Sequence, residues 1–127
     1  MANILLVEDD EYISEELKDY LTSNGHCVEA VFSGPEALEH LLFNSYDLVF
    51  LDSNLPGKNG RDVCCEFRKK GGVTPVVMLT GESALHAMEE CMQAGANLFL
   101  EKPFPLEELD TVITRYTTDL PAASSLH

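Results

Sequence analysis

Three consecutive acids are the first side chains in this sequence whose type and spacing could do chemistry. Glu8, Asp9 and Asp10 directly follow an apolar run at residues 3–7. At an effective dielectric constant of ~20, two like charges about 4 Å apart repel each other by roughly 4 kcal/mol. Such a cluster is therefore either a site that a cation neutralises or a group of acids at a helix N-terminus, where the helix dipole favours them.

Three further reactive side chains stand at the ends of later apolar runs. Asp52 follows the third run, Thr80 follows the fourth, and Lys102 comes shortly after the fifth. Taken singly, they have the ordinary explanations of a turn acid, a helix cap and a surface lysine. Their joint occurrence at the ends of such runs instead indicates a shared site.

Together these residue types are suited to phosphoryl transfer. Oxygen ligands from Glu8 or Asp9 and from Asp52 would suit Mg2+, which binds one or two protein carboxylates and keeps its other positions for water and phosphate oxygens. An Asp carboxylate is also a nucleophile toward phosphorus. A metal ion, the Lys102 ammonium and the Thr80 hydroxyl would stabilise the charge on the phosphoryl group. The set predicts a site that forms an aspartyl phosphate.

The elements that must position these residues alternate along the chain. Five apolar runs have the length and composition of β-strands: NILLV (3–7), CVEAV (27–31), DLVFL (47–51), PVVML (75–79) and NLFL (97–100). Helical patterns separate them. This alternation predicts an α/β fold with a parallel sheet, helices on both faces and ligands at the carboxyl ends of the strands. The second run is interrupted by Glu29 and is expected at the sheet edge.

The helices are predicted from their apolar faces and their end signals. The first ends near Asn24-Gly25 and the third at Gly71-Gly72. The second begins with Ser33 and Glu36 at the spacing of a capping box. Its expected apolar face consists of Ala37, Leu38, Leu41 and Leu42. The fourth is expected from about residue 83 to 94, and the fifth carries the apolar residues Leu106, Leu109, Val112, Ile113 and Tyr116.

Composition and charge exclude several classes of function. Twenty-two acids against eight Lys and Arg residues give a formal charge of −14, so we expect no direct nucleic acid binding by this segment. No run approaches the ~18 apolar residues of a membrane span, and the N-terminus lacks a secretory signal. A cytoplasmic protein with no membrane contact is therefore predicted. The four cysteines are expected to be buried free thiols, and the cluster of bases at residues 58–70 is expected to be a solvated helix face.

Four stretches of the sequence resemble one known family. The motifs ILLVEDD, DLVFLDSNLPGKNG, VVMLTG and FLEKPF are similar to those of the receiver domain of two-component response regulators, the CheY-like family, from about Asn3 to Tyr116. The resemblance implies a flavodoxin-like (βα)5 three-layer sandwich with a five-stranded parallel sheet of order 2-1-3-4-5. Residues 1–118 would form this domain, and residues 119–127 are expected to be a disordered tail or linker.

The resemblance also implies a role for each site residue. Asp52 corresponds to the phosphoacceptor, Thr80 to the switch hydroxyl and Lys102 to the phosphate-binding lysine. The implied metal ligands are Glu8, Asp9, Asp52 and the backbone carbonyl of Asn54. Phe99 corresponds to the aromatic switch residue, Pro103 to the cis-proline after the lysine, and Asn54 and Glu82 to the pair that modulates dephosphorylation. Asp10 has no counterpart, and Ser53 and Lys58 depart from the common family residues.

The function implied by the resemblance is phosphorelay signal transduction. Asp52 would take a phosphoryl group, with Mg2+, from a phosphohistidine of a histidine kinase or phosphotransfer protein. Phosphorylation would switch a surface formed by helix 4, strand 5 and helix 5 toward an unknown output domain or partner, and a phosphorylation-dependent dimer is one form of this output. The domain would be a signalling module rather than an enzyme, although it catalyses its own phosphorylation and dephosphorylation.

Two alternatives come from other functional classes. One is a pseudo-receiver that acts only as a binding module, against which the complete set of Asp52, Thr80 and Lys102 argues. The other is a phosphatase with an Asp nucleophile. Such enzymes usually carry a second catalytic Asp two residues after the first, where this sequence has Asn54.

Overall fold

The computed structural model of the protein describes residues 1–81 and 85–117, and describes residues 85–87 by their backbone alone. Within these residues, strands and helices alternate in the order β1 (Asn3–Val7), α1 (Glu11–Ser23), β2 (Cys27–Val31), α2 (Gly34–Phe43), β3 (Leu48–Asp52), α3 (Gly60–Lys69), β4 (Val76–Thr80), α4 (Leu85–Gln93), β5 (Leu98–Glu101) and α5 (Glu107–Thr117). The predictions for Glu82, for a helix start near residue 83 and for the tail at 119–127 lie outside the described residues.

The strands form one parallel sheet in the order β2-β1-β3-β4-β5. This confirms the predicted α/β class and the flavodoxin-like strand order. Every residue of β3 and β4 is buried, which is why both were recognisable as continuous apolar runs. β2 is an edge strand whose Cys27 and Glu29 are exposed, as the acid in its sequence indicated.

The sheet separates two apolar cores, which gives the three-layer sandwich. Successive strand residues point to opposite faces, so Leu5 and Val7 pack with α2, α3 and α4, whereas Ile4 and Leu6 pack with α1 and α5. Phe50, at the centre of the second core, is only 1% exposed. Burying an aromatic side chain of this size contributes roughly 2–3 kcal/mol to stability. The two cores fix the sheet, and the sheet fixes the residues at its carboxyl edge.

Strands β3, β4 and β5 begin and end one residue later than the apolar runs predicted. Asp52 pairs in register with Leu79, and Thr80 pairs with Glu101. The backbone N–H of Ser53 still donates to the Leu79 carbonyl at 2.9 Å. A polar side chain ends an apolar run without ending the backbone ladder, so Asp52 and Thr80 are the last residues of their strands rather than the first residues after them.

Polar side chains cap the N-termini of α1, α2 and α3. Asp10 Oδ1 accepts the backbone N–H groups of Tyr12 at 2.9 Å and Ile13 at 3.1 Å, which caps α1. The Ser33 hydroxyl accepts the N–H of Glu36 at 3.4 Å at the start of α2. Asn59 caps α3. The third acid of the opening cluster therefore caps α1, whereas Glu8 and Asp9 lie with Asp52 in a cluster of acids.

Several predictions about buried residues, and one about the residues of α5, were wrong. Cys64 and Cys91 are buried, but Cys65 is half-buried and Cys27 is exposed because it lies on the edge strand. Leu42, which was placed on the buried face of α2, is 39% exposed. Leu106 precedes α5 rather than lying within it.

Arg68 contradicts the expected solvated helix face. Its guanidinium donates to the carbonyls of Gly95 at 3.0 Å, Gly72 at 3.2 Å and Thr74 at 2.8 Å. It also donates to Asn97 Oδ1 at 2.9 Å. Arg68 thus joins the end of α3 to the segments that lead into β4 and β5.

Two glycines let the β3–α3 loop, residues 53–59, lie close to its neighbours. A Cβ atom on Gly60 would stand 2.2 Å from the Asp52 carbonyl oxygen. A Cβ atom on Gly34, at the start of α2, would stand 1.9 Å from the carbonyl oxygen of Lys58. Both distances are far below van der Waals contact, so the absence of a side chain at these positions permits the observed path of the loop.

Across residues 1–81 and 85–117, none of the helices has the length and apolar character needed to span a membrane.

Candidate functional site

The site lies where the carboxyl ends of the central strands meet. Glu8 follows β1, Asp52 ends β3, Thr80 ends β4 and Lys102 follows β5. Backbone hydrogen bonds hold these ends: the Glu8 N–H donates to the Val31 carbonyl at 3.2 Å, and the Lys102 N–H donates to the Thr80 carbonyl at 2.7 Å. The parallel topology therefore brings together residues from distant parts of the chain, as the sequence predicted.

Three acids form a cluster at this edge. Carboxylate oxygens of Glu8, Asp9 and Asp52 all lie within 4.8 Å of one another. Glu8 is 1% exposed and Asp52 is 4% exposed, whereas Asp9 is exposed. Two acids are thus withdrawn from water and the third opens the cluster to solvent.

Lys102 contacts both buried acids. Its Nζ atom lies 2.7 Å from Glu8 Oε1 and 3.0 Å from Asp52 Oδ2. The other oxygen of each acid accepts a backbone N–H: Asp52 Oδ1 from Asn54 at 2.9 Å, and Glu8 Oε2 from Asp10 at 3.1 Å. These bonds fix both carboxylates before any ligand arrives.

Burial and charge shift two pKa values in the cluster. Burial raises the pKa of Glu8 to about 7, against the lowering effect of the hydrogen bonds from Lys102 and the Asp10 backbone, and the charge of Asp52 adds to the rise. Burial lowers the pKa of Lys102, but its hydrogen bonds to Glu8 and Asp52 outweigh that effect and raise it overall. The ammonium therefore stays charged at neutral pH.

The donor set of the cluster fits a magnesium ion. When Glu8 is ionised together with Asp9 and Asp52, the three carboxylates and the Lys102 ammonium leave a formal surplus of two negative charges. A divalent cation neutralises that surplus, and hard carboxylate oxygens are the ligands that Mg2+ prefers. Glu8, Asp9 and Asp52 are the side chains that could hold it.

The other predicted site residues lie at or near the same strand ends. Thr80 ends β4, Asn54 follows β3 and Pro103 follows β5, whereas Phe99 lies within β5. Thr80 is fully buried at the end of β4. Asn54 is exposed beside the cluster, and the Lys102–Pro103 peptide bond is cis. Phe99 is half-buried on β5 and packs against the core under α2, α3 and α4.

A cavity beside Asp52 was not foreseen from the sequence. It has a volume of about 420 Å³ and is lined by Ser53, Asn54, Asn59, Arg61, Thr80 and Gly81. Arg61 is half-buried in the first turn of α3, and one of its nitrogens, Nη1, lies 3.5 Å from Glu90 Oε1. The sequence offered one signal for this cavity. The basic residue Arg61 directly follows Gly60, and Gly60 lies close to the Asp52 carbonyl.

Comparison with known proteins agrees with this geometry. A family model described as the response regulator receiver domain matches residues 4–114. The transcriptional regulatory protein TctD of Salmonella typhimurium is 42% identical over 108 residues, which cover 84% of this chain and 48% of that protein. CiaR of Streptococcus pneumoniae is 42% identical over 109 residues, covering 86% of this chain and 48% of that protein. This chain therefore spans about half the length of these curated relatives.

Solved structures show the same architecture. The receiver domain of the Francisella response regulator 1452 superimposes with a TM-score of 0.88 at 28% identity, covering 91% of this chain and 96% of that one. The receiver domain of the sensor histidine kinase PA1611 of Pseudomonas aeruginosa, which has a magnesium ion coordinated in its active site cleft, superimposes with a TM-score of 0.84 at 32% identity, covering 91% and 96%. With this fold, this edge cluster and this match along most of its length, the chain belongs to the CheY-like receiver domains of two-component response regulators.

Proposed function

We propose that Asp52 is the phosphoacceptor of this domain and takes a phosphoryl group from a phosphohistidine of a sensor kinase or phosphotransfer protein. One observation carries the proposal: a buried aspartate is in contact with Lys102 and lies within 4.8 Å of two further acids, at the carboxyl edge of a parallel sheet. Such an arrangement is costly for stability alone, because it concentrates like charge in a buried position.

In the proposed reaction, an oxygen of the Asp52 carboxylate forms a bond to phosphorus while the bond from phosphorus to the histidine nitrogen breaks. The histidine leaves with the bonding electron pair. Lys102, whose Nζ already lies 3.0 Å from Asp52 Oδ2, would pair with the phosphoryl oxygens after transfer. The hydroxyl of Thr80 would donate to the same oxygens.

The proposed metal ligands are Glu8, Asp9, Asp52 and the backbone carbonyl of Asn54. When bound, Mg2+ supplies positive charge that offsets the repulsion between the phosphoryl group and the carboxylates. In the metal-free structure, hydrogen bonds from Lys102 and from the Asp10 backbone hold the Glu8 carboxylate in the cluster. Magnesium in the cleft of the PA1611 receiver domain supports this assignment.

Phosphorylation would be converted into a binding signal through β4 and β5. Thr80 would move toward the phosphoryl group and Phe99 would follow, which would change the surface formed by α4, β5 and α5. The backbone bond from Lys102 to the Thr80 carbonyl, at 2.7 Å, supports this coupling because it joins the ends of the two strands. Phe99 is half-buried, so a change in its packing would alter the exposed surface of β5.

Membership of the family implies two kinds of partner, a phosphoryl donor and an output target. A histidine kinase or phosphotransfer protein would supply the phosphoryl group. Several curated relatives are named as transcriptional regulatory proteins of about twice this length, so residues 1–118 would act on an output domain or a separate target, with residues 119–127 as a linker or tail. A phosphorylation-dependent dimer and a cytoplasmic location belong to the same proposal.

The phosphoacceptor assignment is tested by intact-mass spectrometry after incubation with phosphoramidate and Mg2+. The wild-type chain should gain one phosphoryl group, and Asp52→Asn should gain none because a neutral amide cannot form the acyl phosphate. Asp62→Asn, which removes an exposed acid in the first turn of α3, is the matched control and should be phosphorylated normally. Normal phosphorylation of Asp52→Asn would refute the assignment.

The switch is tested with Lys102→Ala. The variant should still accept a phosphoryl group, though more slowly, but the amide NMR shifts of β5 should no longer respond to phosphorylation, because the ammonium that pairs with phosphate is gone. A response of Phe99 and Leu100 equal to that of the wild type would show that Lys102 has no coupling role.

The lifetime of the phosphorylated state is proposed to be short. Asn54 and Glu82 would flank the in-line approach of water to phosphorus, and both are polar, so they would help to orient the attacking water. Asn54 is exposed beside the cluster, whereas Glu82 lies outside the described residues. Bulky or cationic replacements at both positions should slow decay after the phosphoryl donor is removed, and an unchanged decay rate would contradict the proposal.

A further inference from the structure

Lys58 lies in the β3–α3 loop and has no role in the proposed function. We propose that Lys58 is a positioning residue for the metal site. Its ion pair with Glu66 holds the loop, and with it the proposed metal ligand Asn54, in the conformation that binds Mg2+. The inference rests on the proposed metal site and names a residue that acts on that site from outside the acid cluster.

The ion pair joins the loop to the helix that follows it. Lys58 Nζ lies 2.7 Å from Glu66 Oε1, in the second turn of α3. This hydrogen bond is the main reason why the pKa of the Glu66 carboxyl is lowered and that of the Lys58 ammonium is raised. The two side chains are 33% and 38% exposed, so the pair contributes little to general stability. Its effect should instead appear in the conformation of the loop.

Lys58 is also the last residue of a tight turn. Its backbone N–H donates to the Pro56 carbonyl at 2.9 Å across Gly57, whose φ is 82°. A hydrogen bond between residues i and i+2, with a positive φ at the middle residue, is the pattern of a classic γ-turn, which is rare and strained. Such a turn depends on contacts with other elements to keep its shape.

Two neighbouring helices supply those contacts. From α2, the N–H of Gly34 donates to the Pro56 carbonyl at 3.2 Å. From α3, the Glu66 carboxylate binds the Lys58 ammonium. Pro56 and Gly57 have no polar side chain, so Lys58 is the residue of this turn that can form a side-chain hydrogen bond. The ion pair therefore ties the turn to α3.

The other end of the loop lies in the acid cluster. The N–H of Asn54 donates to Asp52 Oδ1 at 2.9 Å, and the N–H of Gly60 donates to the Ser53 carbonyl at 3.0 Å. One residue, the buried Leu55, separates Asn54 from the turn. A shift of the turn would therefore displace Asn54 as well. Mg2+ requires near-ideal octahedral geometry, so a small displacement of one ligand would weaken its binding.

The sign of the effect distinguishes this role from ordinary electrostatics. Replacing Lys58 by a neutral residue removes a positive charge from the surroundings of the site. On charge alone, this change would make Mg2+ bind more tightly, because like charges repel. Loss of the anchor on the loop has the opposite effect and makes Mg2+ bind more weakly.

The test measures the dissociation constant of Mg2+ by titration, with amide NMR shifts as the signal. The variants are Lys58→Met, Glu66→Gln, the double variant Lys58→Glu with Glu66→Lys, and the control Lys69→Met, which removes an exposed base at the C-terminal end of α3. Lys58→Met and Glu66→Gln should each bind Mg2+ about three-fold more weakly than the wild type. The double variant should regain most of the affinity, and Lys69→Met should bind at least as tightly as the wild type.

A second measurement follows the loop without metal. Hydrogen exchange of the Asn54 amide, which is bonded to Asp52, should be about three-fold faster in Lys58→Met and should return to the wild-type rate in the double variant.

Three results would overturn the inference. They are unchanged or tighter Mg2+ binding by Lys58→Met, weaker binding that the double variant does not reverse, and unchanged exchange of the Asn54 amide. If the wild type binds no Mg2+, the proposed metal site fails. The exchange rates then decide separately whether Lys58 positions the loop.

Discussion

Two basic side chains stand at opposite ends of the sheet, and their partners differ in charge. Arg68, near the amino ends of β4 and β5, donates to three backbone carbonyls and one amide oxygen, all of them neutral. Lys102, at the carboxyl ends, contacts two buried carboxylates, with a third acid beside them. The first arrangement satisfies polar groups that the fold leaves at loop ends. The second gathers three carboxylates around one ammonium, and a further cation would neutralise their surplus negative charge.

The contrast separates a structural cluster of hydrogen bonds from a candidate site for a ligand. Neutral acceptors around one cation create no repulsion between like charges, so the Arg68 network stabilises the fold without a ligand. Buried like charges cost stability, and proteins accumulate them where they serve binding or catalysis. The largest effects of substitution at the two ends should therefore appear in different measurements, namely unfolding for Arg68 and metal binding for the acids.

The largest effect on stability is expected from Arg68→Met. The variant loses four hydrogen bonds from a charged donor and leaves the carbonyls of Gly72, Thr74 and Gly95 without this partner. Urea unfolding should show a loss of about 3 kcal/mol. Lys69→Met, at an exposed position on the same helix, is the control and should change stability by less than about 0.5 kcal/mol. A loss no larger than that of the control would show that the network is dispensable.

The next effect concerns the acid cluster and should appear only with metal. At a Mg2+ concentration of 100 times the dissociation constant, binding to the folded state adds about 2.7 kcal/mol to the free energy of unfolding. Asp9→Asn should abolish most of this gain and should leave the metal-free protein at least as stable as the wild type, because one like charge is removed.

Asp10→Asn is the matched control for that measurement. Asn is as good an N-cap as Asp, so α1 keeps its cap, and the charge removed is adjacent in sequence but lies outside the cluster of Glu8, Asp9 and Asp52. The control should retain the stabilisation by Mg2+. If Asp10→Asn loses as much of it as Asp9→Asn does, the metal is held by general negative charge rather than by the cluster.

The smallest expected effect is a pH-dependent change in stability caused by His26, which lies at the amino end of the sheet. The Nδ1 atom of His26 accepts the backbone N–H of Ala2 at 3.1 Å, and burial lowers the pKa of its imidazole, with a further contribution from the N-terminal ammonium. Because the folded state holds the proton less well than the unfolded state, the stability that His26 contributes is present above pH ~6.5 and is lost as pH falls through the folded-state pKa.

The measurement compares wild type with His26→Gln at pH 7.5 and pH 5. The wild type should lose about 1 kcal/mol more than the variant over this interval, the typical net value of one hydrogen bond. Equal losses of unfolding free energy in both proteins would show that protonation of His26 does not destabilise the folded state.

The sequence predicted the architecture and the convergence of charged side chains at one edge of the sheet, because both depend on side-chain patterns. Alternating apolar runs and helical faces indicate the α/β class, and the rule that parallel strands share one carboxyl edge is enough to bring Glu8, Asp52 and Lys102 together. The roles of these residues in phosphoryl transfer remain predictions, as do those of Thr80 and Phe99.

The features that the sequence missed depend on the backbone. Three of the four acceptors of Arg68 are main-chain carbonyls, which leave no trace in a pattern of side chains. The strand ends moved by one residue for the same reason, since a ladder continues through Asp52 regardless of its polarity. The raised pKa of Glu8 also required the folded structure, because the sequence shows an acid but not its 1% exposure.

The close approach of the β3–α3 loop to α2 limits how this domain can vary by mutation. Replacing glycine by alanine within a helix usually adds about 1 kcal/mol of helix stability and would be judged conservative. At Gly34 the same change would push a methyl group to 1.9 Å from the Lys58 carbonyl oxygen, so the loop that carries Asn54 would have to move. A substitution on another helix, without any charge and without contact with the acids, can therefore disturb the reactive edge, and sequence variants at Gly34 should be interpreted as changes to the site rather than as neutral drift.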